Sequence, residues 1–126
     1  MMNLEELLKM LNSQEFSHVV QVRRVEYSNS GNIKESVLGY INGIIYQEST
    51  KILYLNVGQE TRNLSVKELI KGINKMTKNS KYSVNKVYLS VHNSDNELCA
   101  APIQTAYFYN GNTCEIHLLR FIPSEE

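Results

Sequence analysis

The sequence predicts an α+β domain in which antiparallel strands fall into two runs of three, β-β-β-α-β-β-β, behind a short N-terminal helix. Three observations predict it. Stretches of alternating apolar and polar residues recur along most of the chain. Only two segments carry apolar residues at helical spacing, and the second lies between the two groups of strands. Runs of strands broken by one helix point to antiparallel pairing, because a doubly wound parallel sheet needs a helix after nearly every strand. The chain has 126 residues, the size of a single domain, and residues 1–126 are read as one unit.

The elements follow in order. Leu4, Leu7, Leu8 and Leu11 lie at i, i+3, i+4 and i+7, one apolar stripe over residues 3–12, with Asn3 as cap and Glu6 three residues on. Ten residues are marginal as an isolated helix, so the stripe must dock, either in the core or on another subunit. Phe16 to Tyr27 reads as a strand with Phe16, His18, Val20 and Val22 on one face. After Arg23-Arg24 the apolar phase moves to Val25 and Tyr27, as a bulge or a bend of the sheet would produce. The turn cluster Ser28–Asn32 leads into a long second strand, Ile33–Tyr46, whose Gly39 and Gly43 mark bulges or close approaches. Lys51–Val57 is a third strand. Ser65 with Glu68 makes a capping box, Leu64 with Leu69 a hydrophobic staple, and Leu69, Ile70, Ile73 and Met76 a buried stripe, so a helix runs to about Asn79-Ser80. Tyr82–His92, Ala101–Tyr109 and Thr113–Ile122 complete the second run, with Asn110-Gly111 as a two-residue hairpin turn. In the last strand Cys114, Ile116, Leu118 and Ile122 share a face with Arg120, and Glu115, His117, Leu119 and Phe121 share the other.

Composition narrows the function. Lys plus Arg and Asp plus Glu are both 13, for a formal net charge of +0. A protein that grips duplex nucleic acid carries a basic excess, so no duplex partner is expected. No run approaches the roughly 20 apolar residues that span a bilayer, and no leader-like segment opens the sequence. A cytoplasmic protein with free thiols is the expectation, in the host cytoplasm if phage-encoded, and no membrane partner. The 2 cysteines, Cys99 and Cys114, form neither a disulfide framework nor a four-ligand zinc set. The 6 glycines do not align as a phosphate-binding loop or a dinucleotide fingerprint. No cofactor and no metal are expected.

Two residue patterns invite chemistry. His92, Asp95 and Cys99 lie within eight positions and suggest a small Cys/His hydrolase. The apolar surroundings of Cys99, between Leu98 and Ala100-Ala101, are instead those of an inert thiol, and Asn93–Asn96 reads as an Asx-rich turn that satisfies its own backbone. We therefore expect no enzyme. The second pattern is tyrosine with arginine. The 8 tyrosines all lie in strands or at their ends, where a ring can be buried and its hydroxyl still needs a partner. Adjacent strand residues face opposite ways, so one of Arg23 and Arg24 points inward or towards a partner, and Arg120 raises the same question. An inward arginine must pair with a glutamate inside the fold or with an anionic ligand.

The expectation is a non-catalytic binding protein for a small anionic, nucleotide-like ligand, assembled as a homo-oligomer. The candidate residues are Arg23, Arg24, Tyr82, Tyr88, His92, Asn93, Tyr107, Tyr109, His117 and Arg120. In size and composition the chain is comparable to small phage or mobile-element proteins that sequester nucleotide immune signals, although no motif places it among them. The alternative is a protein-binding inhibitor or immunity-type module acting through a sheet face or an edge strand.

Overall fold

The structure is a computed structural model; it describes residues 2–58, 63–78, 84, 86–92, 98–103, 105–107 and 113–122, with backbone alone for 92, 98, 105–107 and 120–122. Two helices, α1 (Leu4–Asn12) and α2 (Val66–Met76), accompany seven strands. These are β1 (Val19–Ser28), β2 (Ile33–Gln47), β3 (Ile52–Gly58), β4 (Lys86–His92), β5 (Leu98–Pro102), β6 (Thr105–Tyr107) and β7 (Thr113–Ile122). They form one sheet in the order β5-β4-β3-β2-β1-β7-β6.

The α+β class stands, and the all-antiparallel arrangement is corrected. β1 pairs with β7 in parallel, and β3 with β4 in parallel. The second case follows from α2, since a helix packed between neighbouring strands returns the chain to the end it left. The expected strand over 101–109 is also divided. Ala101 and Pro102 belong to β5 and Thr105–Tyr107 to β6, at opposite ends of the strand order; residues 104, 108 and 109, like the expected Asn110-Gly111 turn, lie outside the described residues.

That division sets the shape of the sheet. Pro102 ends β5 and Thr105 begins β6, so the two edge strands are joined by a link that spans at most about 11 Å. A flat sheet of seven strands would hold its edges about 29 Å apart. The sheet must therefore curl until its edges nearly meet. Ile103, in the link, is fully buried, and its carbonyl accepts a hydrogen bond from the Met2 N–H at the foot of α1 (3.0 Å). The curl thus closes around the helical side.

One hydrophobic core fills that side. Val20, Val22, Ile41, Leu53, Leu55, Val87, Leu89 and Ile116 come from five adjacent strands, and Val66, Leu69 and Ile73 from α2. Leu4, Leu7, Leu8 and Leu11 of α1 join the same cluster, so the leucine stripe is used within the chain and not at a subunit contact. Asn3 caps α1 by accepting from the Glu6 N–H, and both halves of the Ser65–Glu68 capping box form. α2 stops at Thr77, earlier than the sequence suggests: the buried Thr77 hydroxyl donates to the Ile73 carbonyl (2.7 Å), and Met76 turns out to solvent.

The phase change at Arg23-Arg24 has a cause different from an extra residue in β1. β1 runs beside β7 without a register break, from Val19↔Thr113 to Ser28↔Ile122. The irregularity lies on β2, where Val22 pairs with Gly39 and Arg23 with Val37, leaving Leu38 over. A second bulge leaves Asn42 over, between Ile41 and Gly43. Beyond the first bulge the apolar side of the sheet changes over. Val25 and Tyr27 of β1, Ile33 and Val37 of β2 and Leu119 of β7 all occupy the face away from the helices, while Arg24, Glu26, Lys34 and Ser36 take the helical side. This part of the sheet is a three-stranded arm with inverted polarity.

Gly39 allows the first bulge. Its φ is +148°, and a Cβ there would meet the Gly58 carbonyl oxygen of β3 at 2.5 Å. Gly39→Ala is expected to lower stability by about 2–4 kcal/mol, from backbone strain and this overlap with main chain. Urea unfolding of both proteins, read as a lower midpoint at unchanged slope, measures it.

Candidate functional site

Because both helices lie on the inner side of the curl, the other face of the sheet presents its side chains outward. Strand alternation fixes which residues these are, and the pairings arrange them in rows across the strands. Ile45, Tyr54, Tyr88 and Pro102 form one row, and Gly43, Asn56, Ser90 and Ala100 the next. Tyr40, Gln21 and Glu115 form a third, followed by Val37, Arg23 and His117.

The last two rows hold a polar network. Arg23 Nε donates to Gln21 Oε1 (2.6 Å) and lies 3.3 Å from Glu115 Oε1. Gln21 Nε2 donates to the Tyr40 hydroxyl at 3.0 Å. His117 Nε2 lies 2.9 Å from the same Glu115 oxygen, and its Nδ1 3.8 Å from Glu35 Oε1. Glu35 Oε2 is also 3.8 Å from Arg23 Nη1. Gln21, Glu115 and His117 are buried although α1 and α2 both lie on the opposite face. Arg23, on the outward face, is paired inside the fold by two glutamate neighbours, and Arg24 is the one of the two that faces the helical side. Two glutamates and a histidine thus surround one guanidinium. Such a cluster fixes the relative placement of β1, β2 and β7.

The aromatic row is different in character. The Tyr54 and Tyr88 rings lie on neighbouring strands with centroids 6.2 Å apart and planes tilted by 49°. Both are half-buried. The Lys86 ammonium stands over the Tyr88 ring, 5.9 Å from its centroid. On the other side of the rings, Asn56 Nδ2 donates to Asn42 Oδ1 (2.6 Å). The β2 bulge brings Asn42 to this face, and Gly58 makes room for it, since a Cβ there would lie 2.6 Å from Asn42 Nδ2. Aromatic rings, a lysine and two amides thus lie within three consecutive rows.

The structure distributes the sequence-predicted residues as follows. Arg23 and His117 are brought together, being register partners. Arg24 lies on the helical side, and the position of Arg120, opposite Glu26, shares that side. Tyr88 is in the aromatic row. Tyr107 is the register partner of Glu115, next to the polar network. His92 ends β4 opposite Leu98. Tyr82, Asn93 and Tyr109 lie outside the described residues. The sequence reading missed Gln21, Glu35, Tyr40 and Glu115 of the network, and Tyr54, Lys86, Asn42 and Asn56 beside Tyr88. Tyr54 carried a signal, as the centre of an alternating Ile-Leu-Tyr-Leu-Asn run, but only the β3–β4 register shows what stands next to it.

Two other chemistries find little in this geometry. Cys99 pairs with Val91 and His92 with Leu98, so the cysteine and histidine positions belong to opposite faces of the sheet, and Asp95 lies outside the described residues. The first amides of α2 are already engaged: Val66 N–H donates to the His18 carbonyl, Lys67 N–H to the Phe16 carbonyl and Glu68 N–H to the Ser65 hydroxyl. No donor remains there for a phosphate. Among the described residues no three His, Cys, Asp or Glu are grouped to hold a metal ion, and no helix is long and apolar enough to cross a membrane. Comparison with protein-family models, with curated proteins and with solved structures finds no match to this chain.

The two cysteines differ sharply. Cys99 is exposed and Cys114 buried. Burial first, and the adjacent Glu115 carboxylate second, push the Cys114 thiol up to about 11 from its ordinary 9.0. A thiol reagent at neutral pH is expected to modify Cys99 alone in the native protein and both cysteines once it is unfolded. The raised value also sets a pH dependence. Below pH 9 both states carry the thiol and its contribution is complete. Between pH 9 and 11 the unfolded thiol ionises while the folded one does not, so stability falls by about 1.4 kcal/mol per pH unit. The stability difference between wild type and Cys114→Val, followed by denaturant titration across this window, isolates the effect.

Proposed function

We propose that this chain is a non-catalytic binding protein whose outward sheet face takes a nucleotide-like ligand. The observation that carries the reading is the Tyr54–Tyr88 pair beside Lys86 on the face opposite α1 and α2. Neighbouring rings on an open sheet offer a stacking surface for a nucleobase, worth about 1–3 kcal/mol per stacked base. A lysine one row away supplies a point charge for phosphate. Rows are two residues apart along each strand, about 6.6 Å, which matches the dimensions of a base with its adjoining sugar and phosphate. A stacked base must displace Lys86 from the Tyr88 ring, and this costs about 0.5–1 kcal/mol. The ligand charge is met by Lys86 on this reading. Arg23, held between Glu35 and Glu115, contributes structure instead.

A panel of nucleotides and short single strands tests this by thermal unfolding. A binder at about 100 times its Kd is expected to raise Tm by about 5 °C or more. Tyr88→Ala should weaken binding by about tenfold to a hundredfold with little change in Tm of the free protein. An unchanged wild-type Tm across the whole panel would sink the proposal.

A second reading, a protein contact, is favoured by the inverted arm. Tyr27, Ile33, Val37 and Leu119 are between 42% and 71% exposed around the buried Val25. The occupant we assign is a second copy of this chain. Glu35 and Arg23 at the root of the arm offer both signs of charge to a two-fold mate, and a net charge of +0 opposes no self-association. Sedimentation equilibrium is expected to give a dimer that Ile33→Glu with Val37→Glu converts to monomer. A wild type that stays monomeric up to about millimolar concentration removes this reading.

A further inference from the structure

We infer that the Asn42–Asn56 amide pair is the specificity element of the stacking face and reads the hydrogen-bonding edge of a nucleobase. The inference rests on the proposed stacking of a base on Tyr54 and Tyr88, and adds to it which bases are accepted and why.

The geometry is built for the purpose by three backbone features. Asn42 is the residue left over in the second β2 bulge. A bulge re-aims one side chain while the strand continues. Gly58, across the ladder on β3, leaves the space that the Asn42 amide fills, where a Cβ would stand 2.6 Å from Nδ2. Gly43, beside the bulge, sets β2 against Asn56 at ordinary van der Waals distance, its ideal Cβ position lying 3.6 Å from Asn56 Cβ. The result is one short amide–amide hydrogen bond, Asn56 Nδ2–H to Asn42 Oδ1 at 2.6 Å.

That bond orients both groups and leaves capacity unused. Each amide has one carbonyl and two N–H donors. Among the described residues neither Asn56 Oδ1 nor Asn42 Nδ2 has a hydrogen-bond partner. Asn56 therefore holds an open acceptor one row from the tyrosines, and Asn42 holds an open donor on its far side, over Gly58. Adjacent donor and acceptor groups are what the Watson–Crick and Hoogsteen edges of bases present. A planar ligand without such an edge would leave the pair unsatisfied when it excludes water, which is the basis of discrimination. The chemistry recognised is a nucleobase, whether in a free nucleotide or in a single strand lying across the open sheet.

Binding is read by calorimetry with AMP, GMP, CMP and UMP, and with short homopolymeric single strands of each base. The nucleotide arm and the strand arm tell the two sources apart. For wild type we expect about tenfold or greater preference among bases. Asn56→Ala removes the donor of the amide bond together with the open acceptor, and Gly58→Ala displaces the Asn42 amide without touching the core. Both should reduce the preference to within about threefold while stacking affinity persists. Asn56→Asp keeps the shape but replaces the donor with an acceptor, so that Asn42 must turn its N–H towards it, and should change the order of preference. Tyr88→Ala should lower affinity for every base alike. If wild type binds bases and Asn56→Ala with Gly58→Ala retain its ranking, the edge-reading inference is overturned and the stacking proposal stands. Wild-type binding with no preference among bases overturns it equally. If wild type binds no base in either arm, the stacking proposal itself fails. Circular dichroism and Tm of each variant separate loss of recognition from loss of fold.

Discussion

The parallel pairing of β1 with β7 is the contact on which the rest depends. It joins the beginning of the sheet to its end through ten consecutive register pairs. It places β7 inside the sheet, next to the first strand, and so obliges β6 to lie at the far edge. With β5 at the opposite edge and a link of only two residues between them, the sheet has to curl. The closed side becomes the core and takes both helices. The other side, away from α1 and α2, displays strand side chains. Every candidate binding feature follows from that separation.

The same pairing explains why a charged network is buried on the outward side. Gln21 and Arg23 alternate with Val20 and Val22, and Glu115 and His117 with Cys114 and Ile116. Register sets these two polar pairs side by side. Once β2 adds Glu35 and Tyr40, each polar atom of consequence finds a partner within the group. A buried pair of this kind is weak evidence for stability and better evidence for register. Slipping β7 by one residue would set Glu115 and His117 against the core and leave Arg23 without its carboxylates. The network therefore selects the pairing that the core also prefers.

The two bulges of β2 divide the outward face into regions of different use. At Leu38 and Gly39 the apolar side of the sheet changes over, and the arm beyond carries its hydrophobic residues outward. At Asn42 a polar side chain is turned towards Asn56, beside the paired tyrosines. Both bulges sit next to glycines, and Gly39 meets β3 closely, against the Gly58 carbonyl. A long strand between two neighbours of different length has to absorb a mismatch somewhere, and glycine is where the absorption is cheapest. Here the places of absorption are also where the surface changes its chemistry.

Local pattern alone determined the two helices, the Asn3 cap, the Ser65–Glu68 capping box and the span of β7, because each depends on residues a few positions apart. It also located the phase change at Arg23-Arg24 and the glycine bulges of β2. It showed that an inward arginine would need a partner. Tertiary structure decided what local pattern cannot carry. Which strands are parallel, that 101–107 belongs to both edges of the sheet, and that Glu115 and Glu35 meet Arg23 are all consequences of pairing between residues far apart in the chain. The aromatic site shows the difference most clearly. Tyr88 was a candidate by type alone, one tyrosine among 8. Only the β3–β4 and β2–β3 registers set Tyr54, Lys86, Asn56 and Asn42 around it, since strand register is fixed by the burial of whole faces and not by any one residue.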